Sequence, residues 1–250
     1  MPEGQRNQLP PAGAGAQLPS RHRPFRLLAI SHLRDPSAGG GSAAGERAWF
    51  AALAAAGVDA VQLREKHLDD LALYDLARRA RAELPPPTLL LVNGRADVAL
   101  AAGADGVHLP ADGVPASALR TRFGGSLLIG VSTHRHEEVE RARRDGADYV
   151  VFGPVYPMPA ASGHGLPAGL AALARSARLG IPVYALGGVT LERFAEVAAA
   201  GAAGVAGIRL FQCRSGDAAG GAHAAGGAHA ADGADGELRR VVAAAQACFR

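Results

Sequence analysis

Cysteine is scarce in this chain, and so are aromatic residues, metal-binding spacings and long apolar runs. Its two cysteines, Cys213 and Cys248, can build no disulfide framework and show no CxxC pattern, which fits a reducing cytoplasm. No apolar run approaches membrane-spanning length and the N-terminus has no signal-peptide core, so the expected location is cytoplasmic. Neither sign of charge dominates: 26 Lys and Arg face 23 Asp and Glu, a formal net charge of +3. The pI near 9.2 comes from arginines that alternate with acids on stretches such as EEVERARR at 137–144. Such stretches read as solvated helix faces rather than a nucleic-acid footprint. A zinc site from His32, His108 and His134 has no HExxH spacing behind it, and no metal site is expected. What remains is a chain with 48% apolar residues and the length of one barrel-sized domain.

The dominant pattern is a repeat. GVDAVQL at Gly57, GADGVHL at Gly103, GADYVVF at Gly146 and GAAGVAG at Gly201 each follow an Ala/Arg-rich amphipathic run. Each Gly suits the left-handed position that ends a helix, and each following strand is apolar on both faces, as a parallel strand covered by helices must be. Four more strands lie between the repeats, at RLLAISH (26–32), PTLLLVN (87–93), SLLIGVS (126–132) and PVYAL (182–186). Eight strands alternating with eight helical stretches predict an α/β chain folded as a (β/α)8 TIM barrel. The helices are expected at 43–56, 68–83, 95–102, 115–123, 135–145, 168–179, 190–200 and 237–248. An open doubly wound sheet would need a GxGxxG turn after the first strand, and SHLRDPSAGGG has none. Residues 1–24 read as a disordered tail, 25–250 as the barrel, and 213–236 as a low-complexity Gly/Ala/His insert in which His223 and His229 are incidental.

Strand parity decides which side chains meet. Val61 and Leu63 are expected under the helices, which sends Gln62, Arg64 and Lys66 to the barrel axis and its mouth; the opposite parity would bury two unpaired cations. The repeats put His108 in register with Gln62. Asn93, Ser132 and His134 join them at the C-terminal rim, where barrel enzymes keep their sites. His134 is the candidate for proton transfer. Gly187, Gly188 and Val189, beside Gly207 and Ile208, form a candidate backbone cradle for phosphate, and Arg209 after the last strand joins Arg64 and Lys66 as the cationic group of the mouth. Thr190 is expected to cap the seventh helix there. His32, His67, His136 and His164 look incidental, His164 within a loop from Met158 to Pro167.

VQLREK at Val61, LVNGR at Leu91, AAGADGVHLP at Ala101, IGVSTH at Ile129, GADYVVFGPVYP at Gly146 and IPVYALGGVT at Ile181, in that order, resemble the thiamine-phosphate synthase/TenI family from about Phe25 to Phe211. The resemblance implies a barrel of thiamine biosynthesis acting on a thiazole phosphate, which synthase members join to a pyrimidine diphosphate. It also implies Asp after strand 3 and strand 4 to hold Mg2+. Here Gly94 and Gly113 stand at those positions, with Asp112 one residue short, and the synthase T-x-T-K loop is replaced by Met158, Pro159, Ala160 and Ala161. From these departures the expected activity is that of TenI-like members, a thiazole tautomerase. This isomerase moves one proton to aromatise a thiazole carboxylate phosphate. His134 would shuttle the proton, Arg64 and Lys66 would face the carboxylate, the glycine amides would hold the phosphate, and no cofactor is expected. The alternatives are a synthase, which would bring Mg2+, and a non-catalytic phosphate-ligand binding protein. The expected partner is a small thiazole phosphate, with neither nucleic acid nor membrane involved and a homo-oligomer left open.

Overall fold

The structure, a computed structural model, describes residues 25–33, 42–158, 166–212 and 229–249, with the backbone alone for 229–235. The elements run β1 (Leu27–Ile30), α1 (Ala43–Ala56), β2 (Ala60–Leu63), α2 (Asp70–Glu83), β3 (Leu89–Asn93), α3 (Ala96–Ala101), β4 (Gly106–Leu109) and α4 (Ala116–Phe123). They continue β5 (Leu128–Thr133), α5 (His136–Arg144), β6 (Tyr149–Phe152), α6 (Gly169–Ala177), β7 (Val183–Ala185), α7 (Phe194–Ala199), β8 (Gly204–Gly207) and α8 (His229–Cys248). The strands pair in parallel in sequence order and β8 closes on β1, which is the expected (β/α)8 barrel. No described helix is long and apolar enough to cross a membrane.

Two apolar layers follow from the parity of the strands. Val61, Leu63, Leu90, Val92, Val107, Ile129, Val150 and Val183 pack outward with the helices, while Leu28, Ile30, Ala60, Leu91, Tyr149, Val151 and Tyr184 fill the barrel. At the equivalent inward position the four repeats place Ala60, Gly106, Tyr149 and Gly204, one large side chain among three small ones. Gly130, the register partner of Tyr149, makes room for it: a Cβ there would lie 2.0 Å from the tyrosine Cζ. At the N-terminal end Phe25 stacks on Tyr184 at 4.2 Å and meets Tyr149 edge-on, and the Tyr184 hydroxyl donates to the Phe25 carbonyl. This plug shuts the lower mouth and leaves the C-terminal one for a site.

The repeat has a structural meaning beyond its glycines. Its third residue is a carboxylate that accepts from backbone amides at the foot of the preceding odd strand. Asp59 takes the amides of Arg26 and Leu27, Asp105 that of Leu90, and Asp148 that of Ile129. Arg81 and Arg120 neutralise the second and third of these at 2.7 and 2.6 Å. The fourth repeat has Ala203 instead, and strand 8 lacks the clamp.

Two expectations shift. Helix α8 begins at His229, so its first turns occupy residues read as insert; Ala230, Ala231 and Ala234 are the best helix formers and offset Gly233 and Gly236 there. The seventh helical stretch opens as a 3-10 turn, Leu191–Arg193, before α7, and Thr190 makes no capping bond to it. The tail at 1–24, the insert from 213 to 228, and Pro159, Ala160, Ala161 and His164 lie outside the described residues.

Candidate active site

Strands β2 to β5 build a polar floor below the upper mouth. Gln62 is 1% exposed and donates from Nε2 to Asn93 Oδ1 at 3.0 Å. Asn93 is in turn the register partner of His108. The His108 ring is held at both nitrogens, Nδ1 by the Tyr149 hydroxyl at 3.0 Å and Nε2 by Ser132 Oγ at 2.9 Å. Burial, and then the nearby Arg64 guanidinium, pull its pKa down to about 3. The imidazole is therefore neutral near pH 7, one nitrogen donating and the other accepting, and acts as a fixed hydrogen-bonding group rather than a cation. Gln62 Oε1 is buried with no donor among the described residues. An orphan acceptor in this position is expensive unless a ligand supplies an N–H or O–H.

The rim above is cationic on one side. Arg64 is half-buried and Lys66 exposed. Lys66 is the one lysine among the 26 Lys and Arg of the chain. Between the two cations Glu65 points outward and is only 5% exposed. It accepts from Ser31 Oγ at 2.6 Å and from the Leu33 amide, and Ser31 Oγ itself accepts from the Arg64 amide at 2.9 Å. These bonds tie the ends of β1 and β2 together and offset the burial of the carboxylate. Residue 65 shares the parity of Val61 and Leu63, so its outward course was readable from the strand pattern.

His134 stands apart from the floor. Its backbone amide donates to Glu138 Oε2 at 2.7 Å, and its ring Nδ1 lies 2.5 Å from the Gly153 carbonyl. A carbonyl can only accept, so Nδ1 carries a proton in this contact and Nε2 is the ring nitrogen left to face the mouth. His136 is held by Ser176 at 3.3 Å and joins α5 to α6, and His32 is exposed. Among the described residues no three His, Cys, Asp or Glu side chains gather as a metal site.

On the far side of the mouth Gly187 and Gly188 adopt φ of 90° and 68°, which excludes other residues at little less than strain. The Gly187 carbonyl accepts from the Tyr156 amide at 3.0 Å and the Gly188 carbonyl from Arg193 Nη1 at 2.5 Å. In a trans peptide the carbonyl and the next N–H point in opposite directions. With the Gly187 carbonyl turned toward the β6 side, the Gly188 N–H is aimed toward the β8 side, where Gly207 ends its strand and Ile208 follows. Arg209 follows in a 3-10 turn and is exposed.

Residues 41–211, which contain every residue of this mouth, match the family model described as thiamine monophosphate synthase. The chain is 48% identical over 154 residues to a putative thiamine-phosphate synthase of Geobacter sulfurreducens, covering 61% of this chain and 72% of that one. It is 45% identical over 148 residues to the thiamine-phosphate synthase of Anaeromyxobacter dehalogenans, covering 59% and 67%. The chain belongs to the thiamine monophosphate synthase family. A thiamine phosphate pyrophosphorylase from Pyrococcus furiosus superposes with a TM-score of 0.68 at 25% identity, over 90% of this chain and 98% of that one. These relatives overturn the expected tautomerase and its assignment as an isomerase, since synthases that couple two heterocycles are transferases. The departures at Gly94, Gly113 and 158–161 touch the metal and diphosphate ligands alone, and they leave unchanged the family match over 41–211 that contains the rest of the mouth.

The magnesium ligands implied by the family resemblance do not fit this chain. Gly94 and Gly113 offer no side-chain oxygen where carboxylates are implied, and Asp112 is exposed. A single carboxylate is a poor home for an ion that demands six oxygens in octahedral geometry.

Proposed function

We propose that this chain is a thiamine-phosphate synthase, a transferase that works in the cytoplasm and joins a thiazole phosphate to an aminopyrimidine diphosphate. The observation that carries this reading is the 45–48% identity to relatives bearing that name, within a family match that contains the whole mouth. In such a coupling the thiazole nitrogen lone pair forms a bond to the pyrimidine methylene carbon. The carbon–oxygen bond to the diphosphate breaks, and its electrons leave with inorganic pyrophosphate. No proton changes hands at the reacting atoms, so His134 has no shuttle role in this step.

The protein's task is then to hold two anionic heterocycles in line and to stabilise charge on the leaving group. The amides of Gly188 and Val189, with Gly207 and Ile208 opposite, suit the single phosphate of the thiazole. Arg64 and Lys66 suit the diphosphate. Gln62 Oε1 suits the amino group of the pyrimidine, which would satisfy the buried orphan. Incubation with thiazole phosphate, aminopyrimidine diphosphate and Mg2+ should yield thiamine phosphate over many turnovers. Binding of the thiazole phosphate without product would overturn the reading in favour of a non-catalytic binding protein.

A further inference from the structure

The turn that receives the phosphate in the reading above opens with two glycines, so its internal restraint is weak: the Gly187–Gly188 peptide is free to rotate, and only the φ of Val189 opposes a flip of the next peptide from within. Adjacent glycines can rotate their peptide planes at little steric cost. Flipping the Gly187–Gly188 or the Gly188–Val189 peptide would replace an N–H with a carbonyl oxygen at the phosphate, turning attraction into repulsion. The turn is restrained from outside. Tyr156, in the loop after β6, holds the Gly187 carbonyl through its amide at 3.0 Å. Arg193, in the 3-10 turn before α7, holds the Gly188 carbonyl at 2.5 Å.

Those two residues also hold each other. The Arg193 guanidinium lies over the Tyr156 ring, 4.2 Å from its centroid. The ring is anchored in turn by its hydroxyl, which donates to Glu196 Oε1 at 2.6 Å. The space is tight as well, since a Cβ on Gly188 would lie 2.8 Å from Tyr156 Cβ and 3.0 Å from the Pro157 carbonyl. Arg193, Tyr156 and Glu196 thus form a bracket between the loops after β6 and β7, closed around both glycine carbonyls.

We propose that Arg193 is a positioning residue that fixes the Gly188–Val189 peptide with its N–H toward the ligand, and so sets the preference for a phosphorylated over an unphosphorylated heterocycle. The proposal rests on the reading of this turn as the phosphate anchor. The guanidinium suits the role because its planar face can stack on the tyrosine while one edge donates to the carbonyl. Tyr156 supports it, and Glu196 acts only through Tyr156.

The test compares calorimetric titration of the parent protein, Arg193→Ala and Arg193→Lys with thiazole phosphate and with the corresponding thiazole alcohol. Arg193→Ala should weaken thiazole phosphate binding about tenfold, the loss of one charge-assisted hydrogen bond, and leave the alcohol within about twofold. Arg193→Lys should recover part of the difference, because an ammonium can still reach the carbonyl but cannot stack. In coupling assays the same variants should raise KM for thiazole phosphate with little change in kcat. An Arg193→Ala protein that keeps its phosphate preference, or loses both ligands equally, overturns the proposal. Should the parent fail to couple its substrates while Arg193→Ala still loses the phosphate preference, the synthase reading falls and the bracket stands. Should the parent couple but Arg193→Ala leave the preference intact, the reverse holds.

Discussion

Lys66 and His108 are one exposed and one buried residue whose chemistry can be isolated. In a chain that otherwise uses arginine for positive charge, the one lysine sits on the mouth's rim. An ammonium is a compact point charge that can follow an anion, where a guanidinium is a rigid fork. Lys66 is also the one side-chain amine, so an acylating reagent modifies it and the N-terminal amine and nothing else of that type. Pyrophosphate at ten times its dissociation constant should slow acylation of Lys66 about tenfold by occupancy, with the N-terminal amine as internal control; equal rates with and without pyrophosphate would remove Lys66 from the anion site. His108 makes a pH-dependent contribution of opposite origin. Its folded pKa, about 3, lies below the ordinary 6.5, so between these values the unfolded chain binds a proton that the folded one refuses. Stability from this residue is complete above pH 6.5 and is lost as pH falls toward 3, at about 1.4 kcal/mol per pH unit. Urea unfolding at pH 7.5 and pH 5 should show the parent losing about 2 kcal/mol more than His108→Gln. Equal losses would mean that the folded imidazole takes up its proton normally.

Among elements, three of the four even strands, β2, β4 and β6, are tied to the preceding odd strand by the carboxylate at the third position of their repeats. Asp148 joins the Ile129 amide of β5 to Arg120 of α4, with the carboxylate partly shielded from water. Asp148→Ala leaves a strand amide and a guanidinium without that acceptor, and should cost about 2 kcal/mol in urea unfolding. A change at Ala203, which has no such partners, should cost far less. Smaller losses at Asp148 than at Ala203 would make the repeat a matter of ancestry rather than of stability. The repeats are also where the sequence was most legible. Gly57, Gly103, Gly146 and Gly201 all take φ between 70° and 86° at helix ends, and Val61 and Gln62 fall on the faces their parity assigns. Harder to see were features that depend on partners distant in sequence: Tyr149 needs the gap at Gly130, Glu65 needs Ser31, and Arg193 needs Tyr156. Periodicity reports which face a residue occupies but says nothing of what meets it there. Thr190 shows the same limit, since a residue with N-cap chemistry does not cap a stretch that opens with a 3-10 turn.

For the whole molecule, the barrel carries at one mouth the cations and glycine amides that the proposed coupling of two anionic heterocycles calls for, and lacks the acidic pair implied for a protein-held ion. Gly94, at φ 71° and exposed, and Gly113 beside Pro110 supply no side-chain ligand. Positive charge at the mouth comes instead from Arg64 and Lys66 after β2 and Arg209 after β8, on opposite sides of β1 in the closed ring. If coupling by this chain uses a divalent ion, the ion must be carried mainly by the diphosphate oxygens, which are hard ligands that magnesium accepts readily. Two measurements follow. Calorimetric titration of the protein alone with MgCl2 should show no site tighter than about 1 mM, the weak end of carboxylate-poor cation sites. Asp112→Asn should keep coupling activity within about twofold of the parent, because one exposed carboxylate contributes little to holding an ion against water. A chain that bound Mg2+ tightly without its substrates, or lost its activity with Asp112, would place the ion on the protein. The two glycines would then need another pair of ligands from this same rim.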